Sequence, residues 1–288
     1  MINNIKNIIS ASEVEIKKNL KKYVGEILVI KYGGSAMIDP KLSINFSQNI
    51  KILVDLGIKP IIVHGGGPQI NEMLEKLNIK PSFFNGMRIT NKDTFDIVEM
   101  VLSGVINKNI SFALSRKGIN ALGLSGVDSK IIIAKKYATN ILTAPDLGLV
   151  GRPKAINKEL LLELISRNIV PIITPIGSNN KGIKLNINAD LTAGFIASEI
   201  KARRLLMLTD VKGVIGADSK LLSELKLKEV NKLIADKIIY GGMIPKVNTC
   251  IEAVKRGIRA SVILDGRVKN ALLKELLSDK GIGTLFRE

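Results

Sequence analysis

The sequence predicts an α/β fold, a three-layer sandwich in which helices cover both faces of a mostly parallel central sheet. Runs of apolar β-forming residues alternate along the chain with apolar stripes of helical period, which is typical of strands connected by crossover helices. Two of those runs end in glycine-rich turns. The chain has 288 residues, of which 46% are hydrophobic, so it can bury one large core but not two independent ones. We therefore expect one compact unit with two lobes.

The N-terminal segment predicts an amphipathic helix. Ser12 and Glu15 have the spacing of a capping box, and Ile16, Leu20 and Tyr23 form one apolar stripe flanked by lysines. We expect this helix to precede the first core strand.

Six core strands and the helices between them follow from the hydrophobic period. The strands are predicted at 27–30, 58–63, 121–124, 169–173, 205–208 and 260–264. Helical stripes are predicted at 70–77, 98–105, 161–165 and 191–200. Residues 125–158, where Pro and Gly interrupt short apolar runs, predict hairpins that project from the sheet as a flap.

The composition favours a solvated basic surface over a nucleic-acid site. The formal net charge is +17, but aromatic residues make up only 4%, and no tract alternates basic with stacking residues. A positive field would still attract anionic metabolites and acidic proteins.

No apolar run reaches the roughly 20 residues that cross a bilayer, and the N-terminus lacks a signal peptide's apolar core, so we expect an intracellular protein without membrane association. The single cysteine, Cys250, is expected to pack in the core.

The two glycine-rich turns, within 29–35 and 61–68, predict a site for phosphate groups. Glycines at the end of a buried strand let backbone N–H groups approach an anion, and a helix that begins there adds its positive end. Lys31 lies beside the first turn. Neither turn matches a P-loop or a G-x-G-x-x-G motif, and a purely structural role in tight strand-to-helix turns remains an alternative. His64 ends the second strand, where we expect it to hold the turn by hydrogen bonds rather than to act in catalysis.

Four further motifs, at 85–90, 186–190, 206–214 and 241–247, complete a pattern that resembles the amino acid kinase family, in particular its members that phosphorylate N-acetylglutamate. The resemblance extends from about Val29 to Phe286. It implies the amino acid kinase fold and transfer of the γ-phosphate of ATP to the acceptor's γ-carboxylate, in arginine biosynthesis. That carboxylate is already ionised at neutral pH, so the reaction needs no general base.

The resemblance also implies the roles of single residues. Lys31 and Lys246 would lie on opposite sides of the transferring phosphoryl group, and Asp190 would orient both lysines. Capping the helix that follows is the rival role for Asp190, and both roles are compatible. Mg²⁺ is expected to arrive on the ATP phosphates, because no cluster of residues has metal-ligand spacing.

Two sets of binding residues are implied in the same way. Arg88 would clamp the α-carboxylate of N-acetyl-L-glutamate with its planar fork. The other residues for this acceptor would be Gly66, Gly67 and Asn186. The residues for the nucleotide would be Gly33, Gly34, Asp210, Gly213 and Met243.

The resemblance divides the chain into an N-terminal oligomerisation helix (1–24), an acetylglutamate-binding lobe (25–195) and a nucleotide-binding lobe (196–288). It implies a homohexamer, built as a trimer of dimers, and the PII signalling protein as a partner. Arginine inhibition stays open, because Asn270 and Lys280 stand where arginine-inhibited relatives commonly have His and Glu. The motif forms are most similar to cyanobacterial and plastid members, so the compartment would be a bacterial cytosol or a plastid stroma.

Two other functions remain as alternatives. A related kinase for another carboxylate or for carbamate would share the phosphate cradle. A regulatory module without activity would bind only arginine or nucleotide, although the presence of Lys31, Asp190 and Lys246 argues against it.

Overall fold

The computed structural model describes residues 2–138 and 145–288 of the chain. The helices are α1 (Ile2–Ile9), α2 (Glu13–Leu20), α3 (Pro40–Asp55), α4 (Gly67–Lys76), α5 (Lys92–Glu99), α6 (Asn107–Ser115), α7 (Lys158–Ser166), α8 (Ala189–Glu199), α9 (Leu227–Ala235), α10 (Met243–Lys255) and α11 (Ala271–Leu277). The strands are β1 (Ile27–Tyr32), β2 (Lys59–His64), β3 (Phe83–Phe84), β4 (Met87–Arg88), β5 (Ala121–Ser125), β6 (Ile132–Lys136), β7 (Val150–Ile156), β8 (Val170–Thr174), β9 (Ile176–Ser178), β10 (Lys184–Ile187), β11 (Arg204–Thr209), β12 (Glu224–Lys226), β13 (Ser261–Asp265) and β14 (Thr284–Arg287).

The central sheet has eight strands in the order β12-β14-β13-β11-β1-β2-β8-β5. From β13 to β5 every neighbouring pair is parallel. At the other edge, β13 pairs with β14 antiparallel, and β14 pairs with β12 parallel. The predicted α/β class and all six predicted core strands are confirmed, with small shifts at the strand ends.

Each central strand contributes side chains to two hydrophobic cores, one on each face of the sheet. In β1, Leu28 and Ile30 face the core shared with α3, α5, α6 and α11, whereas Val29 faces the core shared with α7, α8 and α10. This alternation follows from the two-residue period of a strand. It places Lys31 on the α8 and α10 side. Cys250 is buried in that second core, as predicted.

The predicted flap is only partly a projecting hairpin. Strands β6 and β7 pair antiparallel, but β9 and β10 join them in a small closed barrel in which β7 pairs with β10 and β6 with β9. These pairings join segments that are distant in sequence, and the local pattern could not indicate them. Residues 139–144 of the predicted flap lie outside the described residues.

The N-terminal segment folds as two short helices rather than one. Ser10, with a φ of 56°, ends α1, and Ser12 caps α2 through the predicted capping box with Glu15. Both helices pack on their own chain, where Ile5 and Ile16 are buried. Asn19 fastens α2 to the C-terminal region by donating to Asp279 Oδ1 at 2.9 Å.

The helical segment Lys92–Ser115 passes from α5 through a π-helical stretch, Met100–Ile106, into α6. Val98, Val101 and Leu102 are buried as their predicted stripe requires, but Val105 is 50% exposed. The wider π-helical turn shifts the register, so a stripe with the α-helical period does not continue to Val105. By length and composition alone this segment could cross a membrane. Its buried residues belong to the core on the sheet, which accounts for its apolar character.

Candidate active site

The carboxyl ends of three neighbouring strands form the floor of the candidate site. Strand β1 lies between β11 and β2, with Lys31 in register with Met207 on one side and Val63 on the other. The glycine turns therefore follow adjacent strands, and Asp210 follows the third. Ligands of open parallel sheets bind at this edge.

Asp190 binds both predicted lysines. Its Oδ1 lies 3.0 Å from Lys31 Nζ, and its Oδ2 accepts a hydrogen bond from Lys246 Nζ at 2.8 Å. The side chains of Lys31 and Asp190 are each 10% exposed, and that of Lys246 is 23% exposed. The structure thus brings together the three residues for which the family resemblance implied catalytic roles.

Helix caps and one close helix contact explain why these residues meet. Asn188, not Asp190, caps α8, because its side chain accepts from the backbone N–H of Asp190 at 2.8 Å. The rival role for Asp190 is therefore wrong, and its carboxylate is available to the lysines from the first turn. Gly194 lets α8 approach α10 closely, since a Cβ at this position would lie 2.5 Å from Thr249 Cγ2. That approach brings Lys246, in the second turn of α10, to Asp190.

The electrostatic balance of the triad favours an anionic ligand. Burial alone would raise the pKa of Asp190, but the ammonium groups of Lys31 and Lys246 lower it to about 2. The carboxylate is therefore ionised at neutral pH. One carboxylate faces two ammonium groups, which leaves a net positive charge where exposure to water is low and electrostatic attraction is strong.

A cavity of about 250 Å³ opens beside this triad. Its lining includes the three triad residues together with Gly66, Gly67, Arg88 and Asn186. All predicted residues for catalysis and for the acceptor thus surround one cavity. A larger groove of about 670 Å³ lies between α8, α10 and the β6–β7 hairpin, but neither triad lysine nor Arg88 lines it. The smaller cavity is therefore the candidate site.

Arg88 is buried beside this cavity. Its Nη2 donates to Asn71 Oδ1 at 2.6 Å, and its guanidinium carbon lies 4.6 Å from the centre of the Phe83 ring. Burial lowers the pKa of Arg88 to about 10, so the side chain stays cationic at neutral pH. Asn71 and Phe83 were not found from the sequence, where neither belongs to a motif that indicates chemistry.

Thr90 holds the cavity residue Asn186, and Asn188 is a further residue of the cavity. Thr90 is fully buried, and its Oγ1 accepts from Asn186 Nδ2 at 3.2 Å while donating to Arg88 O at 2.7 Å. Asn188 lines the cavity as well as capping α8. The signal that could have identified Asn188 is an N-cap residue type three positions before the apolar helical run that begins at Leu191.

His64 fixes the second glycine turn. Nδ1 lies 2.9 Å from Gly65 O and must donate to it, because a carbonyl oxygen only accepts. Nε2 is then an acceptor for Thr174 Oγ1 at 3.1 Å and Asn107 Nδ2 at 3.2 Å. Burial lowers the pKa of His64 to about 4. The neutral, fully bonded ring agrees with the predicted structural role.

The predicted nucleotide residues lie at the same sheet edge. Gly33 follows β1, where a Cβ would lie 2.8 Å from Leu208 O, and Gly34 begins a short 3₁₀ helix, Gly34–Met37. Asp210 is exposed after β11, and Met243 begins α10. Gly213 has a φ of 140° and approaches Thr284 closely. Their nucleotide contacts stay a prediction.

A second carboxylate at this edge was not found from the sequence. Asp265, at the end of β13, is in register with Thr209 and is bound by Arg267 Nε and Nη2, each at 2.9 Å. These hydrogen bonds lower the pKa of Asp265. Within the described residues, no group of three or more His, Cys, Asp or Glu side chains could hold a metal ion.

The family model of the amino acid kinase family matches residues 26–265. The chain therefore belongs to the amino acid kinase family, and the fold expected from the resemblance is confirmed. Among curated relatives, the acetylglutamate kinase of Pelagibacter ubique is 48% identical over 274 residues, covering 95% of this chain and 93% of that protein. The acetylglutamate kinase of Rhodospirillum rubrum is 46% identical over 275 residues, covering 93% of this chain and 89% of that protein.

A solved structure shares the fold. N-acetylglutamate synthase from Neisseria gonorrhoeae, complexed with coenzyme A and N-acetyl-glutamate, matches with a TM-score of 0.85 at 20% identity. The match covers 96% of this chain, which spans 62% of the length of the synthase chain. At this identity the likeness concerns the fold alone.

We predict that His64 makes folding stability depend on pH between about 6.5 and 4. Over this range the unfolded chain binds a proton that the folded chain does not, so the free energy of unfolding falls as pH falls, at most by about 1.4 kcal/mol per pH unit. His64 is the only histidine. Denaturant unfolding at several pH values above 5 should show this loss in the wild type and a flatter profile in His64→Gln. Equal slopes would contradict the prediction.

We predict that Gly67→Ala impairs ligand binding without weakening the fold. A Cβ at Gly67 meets no atom within 4 Å and would enter the cavity that Gly67 lines. The melting temperature should stay unchanged, while the KM for the acceptor rises about tenfold, which corresponds to about 1.4 kcal/mol. Gly104→Ala is the control, because Gly104 is exposed, also has open space and does not line the cavity. Equal KM values in both variants would refute the role of Gly67.

Proposed function

We propose that this chain transfers the γ-phosphate of ATP to the γ-carboxylate of N-acetyl-L-glutamate, which yields N-acetyl-L-glutamyl 5-phosphate for arginine biosynthesis. The observation that carries the proposal is the pairing of Lys31 and Lys246 with Asp190 at a cavity that also contains a buried arginine. Relatives at 48% and 46% identity named acetylglutamate kinase support the choice of acceptor.

The acceptor itself is the nucleophile. Its γ-carboxylate is ionised at neutral pH, with a reference pKa near 4.3, so one of its oxygens attacks the γ-phosphorus while the bond to the β–γ bridging oxygen breaks and ADP leaves. No side chain has to remove a proton. This agrees with the site, where His64 is neutral, buried and engaged at both ring nitrogens.

The protein lowers the barrier by neutralising charge between two anions. Lys31 approaches the transferring group from β1 and Lys246 from α10, and both reduce the repulsion between the carboxylate and the phosphates. Gly67 begins α4, so the positive end of this helix points at the cavity. Asp190 holds the lysines before substrate arrives, which decreases the reorganisation that the reaction requires.

Mg²⁺ is proposed to enter with ATP. The described residues offer no metal cage, and the carboxylate of Asp190 is engaged by two ammonium groups. Bound to the phosphates, the ion would screen their charge. On the nucleotide side, Asp210 presents an exposed carboxylate directly after β11.

Arg88 favours an acceptor with a second carboxylate. The guanidinium is buried and cationic, and such a group needs an anion to offset its lost hydration. The α-carboxylate of N-acetylglutamate supplies that anion. Carbamate has no second carboxylate and would leave Arg88 without an anionic partner, which argues against the alternative of a carbamate kinase.

Oligomerisation and regulation are proposed on the same resemblance. Val14 and Val24 in the N-terminal segment are 77% and 54% exposed, which supports a contact with other subunits in a homohexamer. We also propose PII as a partner and the cytosol or a plastid stroma as the location. Sedimentation velocity would test the assembly, and a monomer at micromolar concentration would contradict it.

The first test is phosphorylation of the acceptor by purified protein. ADP release and trapping of the acyl phosphate with hydroxylamine should show activity with N-acetyl-L-glutamate and at least tenfold lower kcat/KM with carbamate or N-acetyl-L-aspartate. No hydroxamate from N-acetyl-L-glutamate would refute the function.

The same assay with arginine should show little inhibition, because Lys280 is exposed and repels a cationic effector.

Lys246→Ala should lower kcat about 100-fold or more, because one cationic donor to the transferring group is lost. The KM values should change much less, since the lysine acts mainly in the transition state. Lys255→Ala is the matched control, because Lys255 ends the same helix and pairs with Glu252 at the surface. Steady-state kinetics with both substrates measure the effect. Unchanged kcat in Lys246→Ala would refute its assigned role.

A further inference from the structure

The guanidinium of Arg88 is held on one side and has a free nitrogen on the other. Nη2 donates to Asn71 Oδ1 at 2.6 Å and to Gly67 O at 3.4 Å. The Phe83 ring covers one face of the guanidinium, with 4.6 Å between the ring centre and Cζ. Nη1 is buried and has no hydrogen-bond partner among residues 2–138 and 145–288.

Both acceptors for Nη2 come from one face of α4. Gly67 and Asn71 are four residues apart, so the carbonyl of the first and the side chain of the second lie next to each other on the helix. Asn71 is a neutral acceptor. It can fix the direction of a guanidinium N–H without cancelling the positive charge, whereas a carboxylate would cancel it.

The positive charge of Arg88 is therefore not neutralised by these neighbours and is available to a ligand. The residue is 8% exposed, and burial is the cause of its lowered pKa. The described residues give it a neutral amide, a carbonyl and an aromatic ring. A buried N–H donor without a partner is costly, so the free Nη1 points to a ligand that supplies an acceptor.

We infer that Asn71, supported by Phe83, is a positioning residue that holds Arg88 so that Nη1 meets the α-carboxylate of the acceptor. Asn71 does not line the cavity itself and acts through Arg88. This inference deepens the proposed function and rests on it. Its consequence is selectivity: Asn71 determines how well the enzyme distinguishes acceptors that carry an α-carboxylate from those that do not.

The experiment compares two substrates that differ only in this carboxylate. N-acetyl-γ-aminobutyrate keeps the acetyl group and the reacting carboxylate of N-acetylglutamate but lacks the α-carboxylate. The variants are Asn71→Leu, which removes the acceptor and keeps the approximate volume, and Phe83→Leu, which removes the ring. Asn231→Leu is the control, because Asn231 is an exposed residue of α9.

The expected result is a loss confined to the natural acceptor. In Asn71→Leu, kcat/KM for N-acetylglutamate should fall about tenfold, through KM, because a hydrogen bond to a charged group is lost. The kcat and the KM for ATP should change less than about threefold, and kcat/KM for N-acetyl-γ-aminobutyrate should stay the same. Phe83→Leu should show a smaller effect in the same direction, since the stacked ring contributes less than the hydrogen bond.

Equal losses with both substrates would overturn the inference, because they would show that Asn71 only supports the fold. An unchanged kcat/KM for N-acetylglutamate would also overturn it. Phe83 is 51% exposed, so Phe83→Leu should fold and provides the test if Asn71→Leu does not. Failure of the proposed function is seen separately, as absence of activity in the wild type with N-acetylglutamate.

Discussion

One buried carboxylate, that of Asp190, holds two ammonium groups that belong to distant parts of the chain. Lys31 and Lys246 lie 3.0 Å and 2.8 Å from its two oxygens. A carboxylate at this depth needs both partners to stay ionised, and two ammonium groups this close need the carboxylate to limit their repulsion. The remaining positive charge faces the cavity. Binding of anions and charge neutralisation during phosphoryl transfer both depend on it.

The fold explains how residues from distant parts of the chain reach one carboxylate. Parallel strands place the ends of β11, β1 and β2 side by side, so that glycine turns and polar side chains from separate segments meet at one edge. The alternation of β1 turns Lys31 toward α8, while the close approach at Gly194 brings α10 and Lys246 to the same helix. Asn188 caps α8 and leaves Asp190 available in its first turn. Tertiary packing, rather than any single motif, sets the geometry of the triad.

The sequence predicted features that depend on local period and on motifs. The core strands and the capping box at Ser12 fall in this group, as does burial of Val98 and Leu102. Features that depend on distant pairing were not predictable. The small barrel is closed by the pairing of Ile133 with Ser178. Arg88 contacts Asn71 because the chain turns back between α4 and the β3–β4 hairpin. The contacts of the nucleotide residues stay a prediction, because nucleotide recognition depends on a ligand. The division of the chain after residues 24 and 195 also stays a prediction.

The turnover of Asp190→Asn tests most directly whether this carboxylate organises the site. The substitution keeps the size of the side chain and removes the charge that pairs with both lysines. We expect that the variant folds, that calorimetry shows binding of N-acetylglutamate within about tenfold of the wild type, and that kcat falls about 100-fold or more. A variant that turns over at the wild-type rate would contradict the claim that this carboxylate organises the site.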